Sequence, residues 1–127
     1  IGISTTNGFG IVVEEGSSVL NNTLNEITRD GINVGGACTV RGNNVSQSGL
    51  APADGSAIHV IGGNNRIEAN NVVSSETGIT VSGIDNVIIK NSASGNSTAN
   101  YTIGGGNDAG PVGTAALSTS PFANISN

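Results

Sequence analysis

Apolar residues recur along the chain as short alternating triplets. The triplets begin at Ile11, Ile32, Ile58, Ile79 and Tyr101, at intervals of 21, 26, 21 and 22 residues, and each has apolar first and third members. Alternation over three to five residues is typical of a β-strand, and no apolar stripe with helical spacing is long enough for a helix. The sequence therefore predicts an all-β protein built from an internal repeat.

Two further sets of apolar positions complete each repeat. The second set follows each triplet by six or seven residues and the third lies five residues further on: Val19, Val40, Ile67 and Ile88, then Leu24, Val45, Val72 and Ala93. A repeat with three short strands cannot bury its own apolar face. Stacked repeats can, because each strand pairs with its equivalent about 4.8 Å away in the next repeat. The pattern therefore predicts a β-solenoid.

Asparagine occupies one fixed position of the repeat, three residues after the second apolar set: Asn22, Asn43, Asn70 and Asn91. Asparagine tolerates the left-handed backbone of a tight turn, and its side-chain amide can hydrogen-bond to the same amide one repeat away. We predict that these four residues form a ladder at one corner of the stack. A turn-rich composition alone is the alternative interpretation.

The repeated Gly-Ile-x-Val and Ile-x-x-Asn-x-Val units, over residues 3–103, resemble those of right-handed parallel β-helix proteins of the pectate-lyase-like superfamily. The stretches 100–103, 110–111 and 121–125 are similar to the segment that closes many secreted members. The resemblance implies about four full coils of ~21 residues within residues 1–103, and a Gly-rich C-terminal closing segment or tail over 104–127. The superfamily includes lyases, hydrolases, epimerases, phage tailspikes and non-catalytic surface proteins, so the fold alone selects no function.

Composition narrows the range of partners. Only 10% of the 127 residues are charged, 2% are aromatic, and the net charge is -5. The four basic side chains do not supply the clustered positive surface that nucleic acid needs, and no apolar run is long enough to span a membrane. The single cysteine, Cys38, lies in a strand-like run and is expected to be a small buried residue. We expect no nucleic-acid partner, no membrane span, no metal and no cofactor.

The clearest departure from the repeat is an insertion over residues 48–56, which lengthens one coil by about five residues. It places Asp54 shortly before His59, and an aspartate with a histidine in a groove could form an acid-base pair. We favour the simpler interpretation, in which Asp54 belongs to a turn and His59 is an outward strand residue. The other carboxylates are scattered over different rows, so we predict no catalytic residues.

We predict a non-catalytic structural or assembly module of the extracellular space or cell surface. Ile3 already fits an apolar row, so the chain begins inside a coil, and a solenoid end normally needs a cap. We expect a second copy, bound head to tail, or upstream coils of a parent chain to cover this end, with Ile1, Ile3 and Phe122 as candidate contact residues. A neutral polysaccharide is a further candidate partner. The alternative function is the C-terminal fragment of a polysaccharide lyase or glycoside hydrolase, or of a phage tailspike-type protein.

Overall fold

A computed structural model describes residues 2–5, 8–50 and 55–127, the first range as backbone only. These residues form short β-strands and no helix. In chain order the strands are β1 (Gly2–Thr5), β2 (Ile11–Val13), β3 (Ser18–Leu20), β4 (Thr23–Ile27), β5 (Ile32–Val34), β6 (Thr39–Arg41), β7 (Asn44–Ser46), β8 (Ser56–Val60), β9 (Arg66–Glu68), β10 (Asn71–Val73), β11 (Thr77–Val81), β12 (Val87–Ile89), β13 (Ser92–Ser94), β14 (Ala99–Ile103), β15 (Asp108–Ala109), β16 (Val112–Gly113) and β17 (Asn124–Ser126).

The strands form three parallel sheets. Sheet 1 has seven strands in the order β1-β4-β7-β10-β13-β17-β16, sheet 2 has five in the order β14-β11-β8-β5-β2, and sheet 3 has five in the order β15-β12-β9-β6-β3. From β1 to β15, each strand pairs with the strand three places along the chain, so consecutive strands belong to different sheets. The prediction of an all-β protein is confirmed, and the arrangement is consistent with a β-solenoid.

The apolar rows are in the register that the sequence predicts. In sheet 2, Ile32 pairs with Ile58 and Ile58 with Ile79, while the other two sheets align the second and third apolar sets in the same way. The inward side chains of β5, β8 and β11 are almost completely buried, with 0 to 2% of their surface exposed. They include both ends of three successive triplets: Ile32, Val34, Ile58, Val60, Ile79 and Val81.

Close backbone approach explains the glycine that precedes several of these triplets. A Cβ atom at Gly31 would lie 2.6 Å from the carbonyl oxygen of Ala57 and 2.5 Å from Cγ1 of Val45. Both contacts are far shorter than van der Waals distance, so a side chain at this position would force the neighbouring repeat away. Glycine is required here by the packing between adjacent repeats.

The four predicted asparagines hydrogen-bond to one another along one corner. The Nδ2 groups of Asn22, Asn43 and Asn70 donate to Oδ1 of the next asparagine at 3.1, 3.0 and 3.0 Å. Each of these Oδ1 atoms also accepts the backbone N–H of the preceding asparagine. Asn124 extends the row, since its Oδ1 accepts from Asn91 Nδ2 at 3.0 Å.

A second corner carries a ladder that the sequence analysis did not identify. Asn65 donates to Asn86 at 2.9 Å, and Asn86 donates to Asn107 at 3.0 Å. Cys38 occupies the preceding position: its backbone N–H donates to Oδ1 of Asn65 at 2.7 Å, and its thiol lies 2.7 Å from the carbonyl oxygen of Glu14. The expectation that Cys38 is buried is confirmed, and its thiol makes one of the contacts that an asparagine amide makes in the later repeats.

The substitution Cys38→Asn should therefore stabilise the protein. An asparagine has nearly the same volume and could donate to both Asn65 Oδ1 and the Glu14 carbonyl, as Asn65 does to Asn86 and to Gly35. We expect a gain of about 1 kcal/mol in the free energy of unfolding, measured by urea denaturation. Cys38→Ala, which removes the thiol without adding a donor, should instead lower stability, and equal effects of the two changes would contradict this account of the corner.

Residues 104–127 pair with the repeats that precede them. Strand β15 pairs with β12, and β17 pairs with β13 and β16. The hydroxyl of Tyr101 lies 2.9 Å from the carbonyl oxygens of Asn91 and Ile125, so its proton can be donated to either. This places β17 against the stack, and the domain boundary after residue 103 stays a prediction. None of the described residues forms a helix that could cross a membrane.

Candidate functional site

A groove of about 510 Å³ with a chemically varied lining lies beside sheet 2. Phe9, Arg29, Asp30, His59 and Glu76 are among the residues that line it. The guanidinium of Arg29 lies 5.0 Å from the centroid of the Phe9 ring, in cation-π contact. The groove thus combines one aromatic ring with cationic and anionic groups.

Asp30 is the buried polar centre of this groove. It directly precedes Gly31 and β5, with only 6% of its surface exposed. Its Oδ1 accepts the backbone N–H of Ser56 at 2.8 Å, and its Oδ2 accepts Nδ2 of Asn33 at 2.8 Å and faces Nδ1 of His59 at 3.1 Å. The carboxylate therefore ties its own repeat to the next one.

These contacts determine the ionisation of Asp30. Burial by itself raises the pKa of the carboxyl, but the hydrogen bonds from His59, Asn33 and the Ser56 amide outweigh it and hold the pKa below its usual value. Asp30 is therefore a carboxylate at neutral pH. A carboxylate can only accept, so Nδ1 of His59 carries the proton in this contact.

The lowered pKa of Asp30 predicts an acid-dependent contribution to stability. The ionised form stabilises the fold at every pH above the unfolded pKa of about 4, and this contribution is lost as the pH falls through the lower folded pKa. The difference in unfolding free energy between the wild type and Asp30→Asn should be largest at pH 7 and shrink below about pH 4. Urea denaturation at a series of pH values measures it, and a difference independent of pH would contradict the assignment.

His59 connects Asp30 to a serine in the following repeat. Its Nε2 lies 3.2 Å from Oγ of Ser82, which follows β11 directly and is exposed to solvent. When Nδ1 carries the only ring proton, His59 presents the lone pair of Nε2 to the Ser82 hydroxyl. Three side chains from three successive repeats thus form an Asp-His-Ser chain across the outer face of sheet 2.

This order of groups is the one that activates serine in many hydrolases, but efficient acyl transfer also needs free N–H groups that stabilise an oxyanion. The backbone N–H of Ser82 donates to the carbonyl oxygen of Val60 at 2.9 Å, and the N–H of Gly83 points to the same oxygen at 3.4 Å. Neither amide is available for this role.

Of the predicted pair of Asp54 and His59, the structure describes only His59. Asp54 lies outside the described residues, whereas His59 is half-buried in the outward row of sheet 2 and has Asp30 as its carboxylate partner. The sequence analysis missed Asp30 because it lies 29 residues before His59. One feature of the sequence could have indicated this contact. Asn33 lies three residues after Asp30 and occupies the position equivalent to His59.

The structure describes the three candidate self-association residues to different extents. Ile1 lies outside the described residues, and Ile3 is described only through its backbone pairing with Leu24. Phe122 is 53% exposed, and Nζ of Lys90 lies 5.8 Å from its ring centroid. Ile3 belongs to β1, at one edge of sheet 1, whereas Phe122 lies two residues before β17, near the opposite edge.

Within the described ranges, no group of three or more His, Cys, Asp or Glu side chains could hold a metal ion. No family model matches the chain, and no similar curated protein or solved structure was found. The geometry of the groove, the corners and the ends of the sheets is therefore the basis for assigning a function.

Proposed function

We propose that this chain is a non-catalytic structural module of the extracellular space or cell surface, whose exposed solenoid end associates with another copy or with an upstream segment of a parent chain. We also propose the specific form of the fold: a right-handed parallel β-helix of the pectate-lyase-like type, with about four full coils and a closing segment over 104–127. The alternating parallel pairings and the asparagine ladders support it.

One observation carries the proposal of association. Ile11 and Val13 begin the apolar rows of sheet 2, and both are only half-buried, whereas their paired equivalents Ile32 and Val34 are completely buried. The difference arises because β2 is the edge strand of sheet 2 in the part of the chain that the structure describes. An edge strand with apolar side chains on its inward face favours pairing with a further strand.

The opposite end of sheet 2 supports a head-to-tail contact. There, Tyr101 and Ile103 end the same rows and are also half-buried. Adding a second copy at this edge would place its Ile11 and Val13 one strand spacing from Tyr101 and Ile103, which continues both rows. The two ends are different surfaces, so the contact is heterologous and can propagate into a filament.

Sedimentation velocity over a range of concentrations tests this proposal. We expect the wild type to associate as concentration rises, and Val13→Asp to weaken association at least about 10-fold because it places a charge in the contact. Val12→Asp is the matched control, since Val12 points outward and is 58% exposed. A wild type that stays monomeric at high concentration, or a Val12→Asp variant as defective as a folded Val13→Asp variant, would contradict association between copies.

A fragment of a polysaccharide-cleaving enzyme is the second candidate, favoured by the presence of two carboxylates, Asp30 and Glu76, in one groove. Glycoside hydrolysis uses a pair of such groups. We nevertheless expect no cleavage, because Asp30 is fully hydrogen-bonded and Glu76 accepts the N–H of Gly55 at 3.1 Å. Release of reducing ends or unsaturated uronate from a polysaccharide panel, abolished by Glu76→Gln, would favour the enzyme instead.

A further inference from the structure

We infer that Ser82 is an activated nucleophile that accepts an acyl group from small carboxylic esters with good leaving groups and retains it as a stable covalent modification. This reactivity goes beyond the proposed scaffold function and does not depend on it. In the Asp30-His59-Ser82 chain, Oδ2 of Asp30 lies 3.1 Å from Nδ1 of His59, and Nε2 of His59 lies 3.2 Å from Oγ of Ser82.

The three groups are held by strand pairing. His59 lies within β8 and pairs with Thr80 of β11, two residues before Ser82, while Asp30 is fixed by its bonds to Ser56 and Asn33. The backbone N–H of Ser82 is itself bonded to the Val60 carbonyl. The serine and the imidazole therefore have few ways to separate, which keeps the hydroxyl aligned for proton transfer.

Ser82 differs from the other serines that the structure describes because its hydroxyl contacts His59. His59 is the single histidine, so its free lone pair is available to one hydroxyl only, that of Ser82. Ser82 is also exposed, so an ester can reach its Oγ from solvent. Ser18 is likewise exposed, at the start of β3, and provides a comparison serine.

The chemical step uses each group once. The Oγ of Ser82 attacks the ester carbonyl carbon while its proton passes to Nε2 of His59, and the nearby Asp30 carboxylate stabilises the resulting imidazolium. The bond to the leaving alkoxide then breaks, and His59 returns the proton to it. The products are O-acyl-Ser82 and the free alcohol, with no other reactant.

The occupied backbone amides limit this chemistry to a single turnover. Because the N–H groups of Ser82 and Gly83 are directed to Val60, neither of these two amides stabilises the oxyanion in acylation or deacylation. Acylation therefore requires a good leaving group, and water removes the acyl group slowly. The expected result is a modified protein rather than catalytic turnover.

The test uses two probes, an alkyl fluorophosphonate and p-nitrophenyl acetate. With the first, the bond from Oγ to phosphorus forms, the phosphorus–fluorine bond breaks, the proton goes to His59 and fluoride leaves. We expect one adduct per chain, located at Ser82 by peptide mass spectrometry, and one equivalent of nitrophenol released in a burst with the second probe. Ser82→Ala should abolish both, and Ser18→Ala should change neither.

The variant His59→Thr separates activation from mere exposure, because threonine occupies the equivalent position of the next repeat at Thr80. It should keep the thermal unfolding midpoint close to that of the wild type while slowing Ser82 labelling by about 100-fold or more. The absence of an adduct at Ser82, or labelling of a folded His59→Thr variant at the wild-type rate, would overturn the inference. Sedimentation of the same samples reports on association separately.

Discussion

Ile79→Asp should abolish folding. Ile79 is completely buried in an inward row of sheet 2, where it lies between Ile58 and Tyr101. Removing a buried isoleucine costs about 1.5–3 kcal/mol, and an unpaired carboxylate in an apolar core adds several more, against a total stability of about 5–15 kcal/mol for a typical domain. Circular dichroism and the dispersion of amide resonances should show an unfolded chain.

Thr102→Asp is the matched control for this prediction. Thr102 lies in the outward row of the same sheet, next to Tyr101, and is exposed. A carboxylate there stays in water, so the change in unfolding free energy should stay within about 0.5 kcal/mol. A folded Ile79→Asp variant, or equal losses from the two substitutions, would contradict the inward and outward assignment of the rows.

Asn70→Ala should produce the second largest loss, about 2–4 kcal/mol. Oδ1 of Asn70 accepts the backbone N–H and Nδ2 of Asn43, and its own Nδ2 donates to the Val40 carbonyl and to Asn91. Alanine would leave several of these buried groups without their partner, and each such group costs about 1–3 kcal/mol. Urea denaturation monitored by circular dichroism gives the free energy of unfolding.

The neighbouring Asn71 provides the control for the ladder. Its side chain is exposed and donates to Oδ1 of Asn44 at 3.1 Å on the surface of sheet 1. Asn71→Ala should cost less than about 0.5 kcal/mol, because water can replace that bond. If Asn70→Ala were as mild as Asn71→Ala, the corner ladder would not be an important source of stability.

The register of the sheets was predictable because burial imposes it. A slip of one residue would turn Ile32 and Ile58 outward, so alternation at a fixed repeat length leaves one consistent alignment of these strands. The first asparagine corner was predictable for a related reason, since all four positions carry the same residue. In both cases a single physical requirement acts on every repeat.

The second corner and the candidate site were not predictable in the same way. In the second corner, asparagine recurs at intervals of 21 residues at Asn65, Asn86 and Asn107, but Cys38 holds the preceding position, so the series is shorter than in the first corner. Asp30 meets His59 only because a repeat lengthened to 26 residues still aligns Asn33 with His59, and Ser82 is added from the repeat beyond. Such contacts between repeats depend on side-chain conformations that a linear pattern does not specify.

The central claim is that the chain stacks on itself with a corner of hydrogen-bonded asparagines. Scalar coupling across hydrogen bonds, measured by NMR on labelled protein, tests it most directly. We expect the backbone amide nitrogens of Asn22, Asn43 and Asn70 to couple to the side-chain carbonyl carbons of Asn43, Asn70 and Asn91, respectively. Coupling of these amides to any other acceptors would contradict the stacked register.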